Sequence, residues 1–203
     1  MKSLRIALVL LLAVSIPSFA ADPIPTATDQ EKLLQHLQRT RDLFLASVEG
    51  LSEAQWNYKP APDKWSVAEC AEHIAASETL IRGAVEKSLA APAAKSALKQ
   101  QKVTDDVVVS AIVDRTKKFS APEPLVPANR FGGPAAAVEA FRKEREETLK
   151  LAEGDKDLRK YAAQHPGFGM LDAHGWMLFL SAHTERHTLQ IEEVKSSDGF
   201  PVK

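Results

Sequence analysis

With Cys70 as its only cysteine in 203 residues, the chain cannot form an internal disulfide, and its stability must come from packing. Its glycines form no phosphate-cradling loop, and neither a nucleophile elbow nor a His-Glu-x-x-His protease signature is present. An excess of positive charge is missing too: 26 basic against 27 acidic side chains argue against a dedicated nucleic-acid binder. No stretch alternates convincingly like a sheet, and no internal repeat appears. The apolar run Ile6 to Ile16, interrupted only by Ser15, is well short of the roughly 20 residues a bilayer span needs.

That run instead fits an export signal. Lys2 and Arg5 precede it, and Ser18-Phe19-Ala20 supplies a small-x-small cleavage site, so residues 1–20 are expected to be removed after Ala20. The mature chain, 21–203, is then periplasmic or secreted, with no stable membrane span. Cleavage lowers the basic count from 26 to 24 against 27 acidic residues, a formal charge of −3. The remaining length suits one domain with a real core.

What is present is helical periodicity. Thr28-Asp29-Gln30-Glu31 reads as a capping box, followed by the stripe Leu34, Leu37, Phe44 and Val48 up to Gly50. Residues 51–63 form a connector, and Ser66-Val67-Ala68-Glu69 caps a second helix to about Ala90. Residues 104–119 suit a further short helix, with a strand at Val107-Val108-Val109 as the alternative. Pro122, Pro124, Pro127 and Gly132-Gly133 mark a long surface crossing before a helix from Pro134 to Gly154. His165-Pro166-Gly167-Phe168-Gly169 reads as a turn, and Asp172 caps a last helix to about Lys195. Four long amphipathic helices with extended connections predict an all-α fold, a four-helix bundle with an additional short helix.

Histidine carries the chemistry. His183 and His187, spaced i, i+4, join Trp176, Leu180, Ile191 and Val194 on the core stripe of the last helix. In the second helix the same stepping joins Cys70, His73, Ser77, Leu80 and Ala84. His73 lies roughly 10 Å from the start of its helix, and His183 and His187 roughly 12 to 18 Å from the end of theirs, so antiparallel helices bring the three to similar depth. Three neutral imidazoles can then meet at one divalent metal, leaving a position for water or substrate.

The other polar residues admit two readings each. Cys70, one turn before His73, either touches the metal shell or is a small buried hydrophobe. Arg145 either holds an anionic substrate or snorkels. His165 is structural in its turn or an accessory acid or base. Trp65 and Trp176 are core or pocket wall. His36 and His174 fall off the strongest stripes and are expected at the surface. Glu69 is the capping partner of Ser66, and Glu78 is at the wrong angle for a fourth ligand.

The chain resembles the DinB-like superfamily, which includes bacterial thiol S-transferases and maleylpyruvate isomerases. The resemblance rests on Leu51-Ser52-Glu53 with Trp56 and Pro60, Trp65-Ser66-Val67 through His73-Ile74, His165-Pro166 with Gly169, and His183-x-x-x-His187-x-x-Gln190-Ile191. It implies a bundle in up-down-down-up order, a divalent metal, commonly zinc or nickel, on His73, His183 and His187, and often a homodimer. It does not imply one reaction. The export signal sets the chain apart from the cytosolic transferases with their cytoplasmic thiol cosubstrates and favours hydrolysis or metal-dependent binding, while a three-histidine ion suits metal-dependent hydrolysis or group transfer on a small molecule. The alternative is a non-catalytic bundle that binds metal or a small ligand.

Overall fold

The computed structural model describes residues 27–202. The expected export signal and its cleavage site lie outside the described residues. Seven helices are present among them: α1 (Asp29–Val48), α2 (Glu53–Asn57), α3 (Val67–Ser88), α4 (Lys95–Leu98), α5 (Asp105–Val113), α6 (Pro134–Glu153) and α7 (Ala173–Lys195). Both expected capping boxes form: Thr28 with Glu31 starts α1, and Ser66 with Glu69 starts α3. Each closes two backbone donors at a helix start. Asp172 accepts from the Gly175 amide at 2.7 Å and starts α7.

The four long helices form the bundle. Ile81, Val85 and Leu89 near the end of α3 share one apolar cluster with Trp176, Met177 and Leu180 near the start of α7, while Val67, Cys70 and Ile74 share another with Ile191 and Val194. These helices are therefore antiparallel. Leu33 and Leu37 of α1 join the first cluster and Phe44 and Val48 the second, so α1 runs with α7. By the same test α6 runs with α3, since Val138 and Phe141 lie in the second cluster and Leu149 and Ala152 in the first. The order is up-down-down-up. α5 packs on the outer side of α7, so α7 is covered by α1, α3 and α5 and is buried along most of its length.

Several expectations are corrected. The connector after Gly50 contains α2, opened by a third capping box of Ser52 with Gln55. The valine run is helical and not a strand: Thr104 caps α5, Val108 enters the core and Val107 faces solvent. α5 ends at Val113 and not near residue 119, where Arg186 donates to the carbonyls of Ile112 at 2.8 Å and Asp114 at 2.7 Å. The His165–Gly169 turn belongs to an antiparallel hairpin, β1 (Ala162–His165) and β2 (Gly169–Asp172), whose four-residue strands are too short to show alternation. Gly169, at φ +74°, takes the left-handed conformation that starts the return strand. Leu80 is 53% exposed, because Ile81, a full i+4 step from Ser77, takes the core position.

Arg145 is neither a substrate clamp nor a snorkelling side chain. It is wholly buried, with Nε and Nη2 donating to Glu78 at 2.7 and 2.8 Å, and its other hydrogens reaching Leu37 O, Thr40 and Thr184. Thr148 donates to Glu78 as well, at 2.8 Å. The pair joins all four bundle helices, and every strong polar atom in it has a partner, the condition under which a buried ion pair is tolerated.

Candidate metal centre

His73 on α3 and His183 and His187 on α7 converge as the antiparallel depths require. Their ring centroids are 5.0 Å apart for His73 and His183, 4.4 Å for His73 and His187, and 4.5 Å for His183 and His187. One ligand atom from each lies within 4.8 Å of the others, and among the described residues this is the one group of metal-ligating side chains so arranged. His73 and His187 are buried and His183 is partly exposed.

Hydrogen-bond chemistry fixes two of the tautomers. His73 Nδ1 is 2.8 Å from the Leu125 carbonyl, which only accepts, so this nitrogen carries the hydrogen. His187 Nδ1 is 3.0 Å from Gln190 Oε1, and the same oxygen accepts from Arg115 Nη1 at 3.2 Å. Arginine has no acceptor, so the amide must turn its oxygen inward, and His187 Nδ1 donates. Both Nε2 atoms are left with lone pairs. This is how outer partners orient metal-ligating imidazoles.

All three rings are held neutral. Burial lowers the His73 pKa, burial with His73 and Arg186 nearby pushes His183 down to about 3, and burial with its two histidine neighbours holds His187 well below the ordinary range. His73 Nε2 and His183 Nε2 are 3.3 Å apart. Two nitrogens each bound to a tetrahedral zinc ion at 2.0–2.1 Å would be about 3.4 Å apart, so the donor set fits a divalent ion.

Trp65 forms a wall. Its ring stacks on His187 at 6.0 Å and tilts against His73 at 4.9 Å. Phe179 lies 6.0 Å from His183 and 4.3 Å from His165, whose ring also meets Phe168 and Trp176. His165 has the opposite tautomer: Nδ1 accepts from the amides of Gly167 at 3.0 Å and Phe168 at 3.1 Å, so Nε2 carries the hydrogen. Burial pushes its pKa down to about 4. Trp176 is buried and donates from Nε1 to Ala163 O at 3.1 Å, tying α7 to the hairpin.

Cys70 is not brought to the cluster. It is 0% exposed in the apolar contact of Phe44, Val67 and Ile191, and burial raises its pKa. The surface expectation for His36 and His174 is corrected. His36 is half-buried, with Nδ1 2.7 Å from Ser181 Oγ, and His174 is 4% exposed, with Nε2 3.1 Å from Asp29 O. Their burial comes from partners distant in sequence, which stripe reading cannot see. Two surface cavities of about 380 and 780 Å³ are both lined in part by Asp29 and His174 and by none of the three clustered histidines. The site is marked by its ligand chemistry and not by cavity size.

Sequence reading missed Leu125, Arg115 and the orienting role of Gln190. Gln190 was within reach of it, being one turn after His187. The Leu125 carbonyl gave no signal, because a main-chain atom leaves none.

The DinB superfamily profile matches residues 36–191, a span that contains all three histidines. The chain belongs to the DinB superfamily. It is 26% identical over 149 residues to the uncharacterized protein YuaE of Bacillus subtilis (strain 168), covering 73% of this chain and 88% of YuaE. Among solved structures it resembles YfiT from Bacillus subtilis, described as a probable metal-dependent hydrolase with an unusual four-helix bundle topology. That likeness has a TM-score of 0.57 at 15% identity and covers 89% of this chain and 94% of YfiT, which establishes a shared fold.

Proposed function

We propose that His73, His183 and His187 bind one divalent cation, zinc or nickel, and that the protein uses it for hydrolysis or group transfer on a small molecule. One observation carries this reading: two Nε2 lone pairs, fixed by Leu125 and Gln190, belong to a cluster of three neutral imidazoles with one ligand atom of each within 4.8 Å of the others, and His183 in it is partly exposed. Such an ion keeps a position for an exogenous ligand, lowers the pKa of bound water towards neutrality and polarises a carbonyl. YfiT's description as a probable metal-dependent hydrolase supports the hydrolytic branch.

The chain's own residues supply orientation and shape. Trp65 shields one side of His73 and His187. Next to His183, Phe168 and Phe179 offer apolar surface, and His165 offers its Nε2 hydrogen to a substrate oxygen beside them. The substrate class this favours is a small ester, amide or thioester with an apolar portion. In the same reading the mature chain begins at Ala21, acts in the periplasm or outside the cell as a homodimer, and takes no nucleic-acid partner.

A second reading has its own support. Glu72 and Glu78, the buried carboxylates of α3, are both engaged elsewhere, Glu78 by Arg145 and Glu72 by backbone amides, so neither is free as a general base. A bundle that binds metal or a small ligand without turnover fits this.

Elemental analysis of protein purified without chelator, followed by turnover assays on ester, amide and thiol-transfer panels, tests both. Stoichiometric metal, at least tenfold weaker binding in His183→Ala and His187→Ala, and turnover lost in those variants are expected. Metal without turnover selects the binding protein. Equal metal content in wild type, His73→Ala, His183→Ala and His187→Ala overturns the metal reading.

A further inference from the structure

The crossing between α5 and α6 meets His73 at the Leu125 carbonyl, and the structure shows what holds that atom in place. Residues 123–125 form a single 3-10 turn in which Leu125 N donates to Pro122 O at 2.8 Å, and the Leu125 side chain is buried. The peptide groups on either side are then bound by one side chain. Arg130 donates from Nη1 to Pro124 O and from Nη2 to Val126 O, both at 2.6 Å, so its fork brackets Leu125.

Arg130 is itself fixed by Glu72. The Glu72 carboxylate accepts from the amides of Ala128 and Asn129 at 2.8 Å each and of Arg130 at 3.1 Å, and from Arg130 Nε at 2.9 Å. Three successive amides converging on one carboxylate form an anion nest. Asn129 completes it at φ +56°, a left-handed conformation that asparagine tolerates better than most residues. Glu72 is 6% exposed, so its carboxylate is largely withdrawn from water beneath the exposed loop.

Glu72 is also the residue before His73. Adjacent positions on a helix diverge by about 100°, so Glu72 cannot reach the ion that His73 faces. It holds instead the loop on which His73 leans. We infer that Glu72 and Arg130 are positioning residues of the metal centre: together they set the Leu125 carbonyl that puts the His73 hydrogen on Nδ1 and the lone pair on Nε2. This rests on the proposed metal role of His73 only for its effect on affinity. The tautomer it predicts belongs to the metal-free protein.

The experiment therefore has two readouts on the full mature chain: zinc affinity by competition with a chromophoric chelator, and the His73 ring nitrogens by long-range 15N NMR without metal. Wild type should show one His73 tautomer, with Nδ1 protonated. Glu72→Gln and Arg130→Ala should mix the tautomers and weaken zinc roughly 10- to 100-fold, the range for loss of an outer partner. Arg130→Lys keeps a cation for Glu72 and loses the fork, so it should behave like Arg130→Ala. Arg39→Ala, a surface cation paired with Glu185, serves as the control. Circular dichroism and the melting temperature check that each variant folds. If Glu72→Gln proves unfolded, the exposed-loop variants Arg130→Ala and Arg130→Lys decide.

Zinc binding in wild type with unchanged affinity in the folded variants overturns the clasp and leaves the metal reading standing. If wild type binds neither zinc nor nickel, the metal reading fails, and the tautomer alone decides the clasp: mixing in the variants supports it, a single Nδ1-protonated form in all of them overturns it.

Discussion

His187 Nδ1 lies 3.0 Å from Gln190 Oε1, one helical turn further along α7. The contact is short in sequence, yet its polarity is set from outside, because Arg115 beyond α5 holds the amide oxygen toward the ring. Arg115 is held in turn by Glu193 through two bonds of 3.0 and 2.6 Å.

Gln190→Leu should therefore free the His187 ring to change tautomer and lower metal affinity about tenfold, with little loss of helix stability. Gln190→Glu keeps an acceptor for both partners and should bind nearly as wild type. Competition titrations on the two variants check this. Equal loss in both would mean that shape, and not the acceptor, matters.

Arg145→Met should cost roughly 3–5 kcal/mol in urea unfolding, since it leaves the Glu78 carboxylate buried without its partner. The double variant Arg145→Met with Glu78→Leu should recover most of that, because both charges leave together. Metal stoichiometry in the folded fraction is expected to stay at the wild-type value.

Cys70→Ser should bind metal as wild type while losing about 1–3 kcal/mol of stability, the penalty for a hydroxyl in an apolar contact. The native thiol should react slowly with a disulfide reagent, its burial having raised its pKa. Rapid native-state labelling would contradict this placement.

The pH dependence follows from His165. Its folded pKa is near 4, against an ordinary value of 6.5, so between these values the unfolded chain binds more protons. Its contribution is fully present above about pH 6.5 and is lost as pH falls toward 4. Melting temperature should fall over that window, and His165→Phe should flatten the fall. His183 extends the same trend toward pH 3 in the metal-free protein.

Much of this was legible in the residues themselves. Capping boxes at Thr28 and Ser66 placed two long helices, Pro134 and Asp172 placed the other two, and matched depths along α3 and α7 predicted that His73 would face His183 and His187. What escaped is non-local or made by main chain. The hairpin at 162–172 depends on register between strands too short to alternate, and Leu80 lost its place to Ile81 because the 3.6-residue period drifts across a stripe drawn in whole steps. His36 and His174 are buried by Ser181 and Asp29, partners well over a hundred residues away.

The atom that orients His73 is a carbonyl, and a carbonyl is the same at every residue type. Position 125 can therefore change from leucine to isoleucine or methionine without altering what it offers the imidazole. Removing or adding one residue between Pro122 and Arg130 would swing a different peptide group into its place. At this point in the chain the histidine cluster reads length and not letter: related chains can diverge freely in the identity of this segment, provided its residues still number the same.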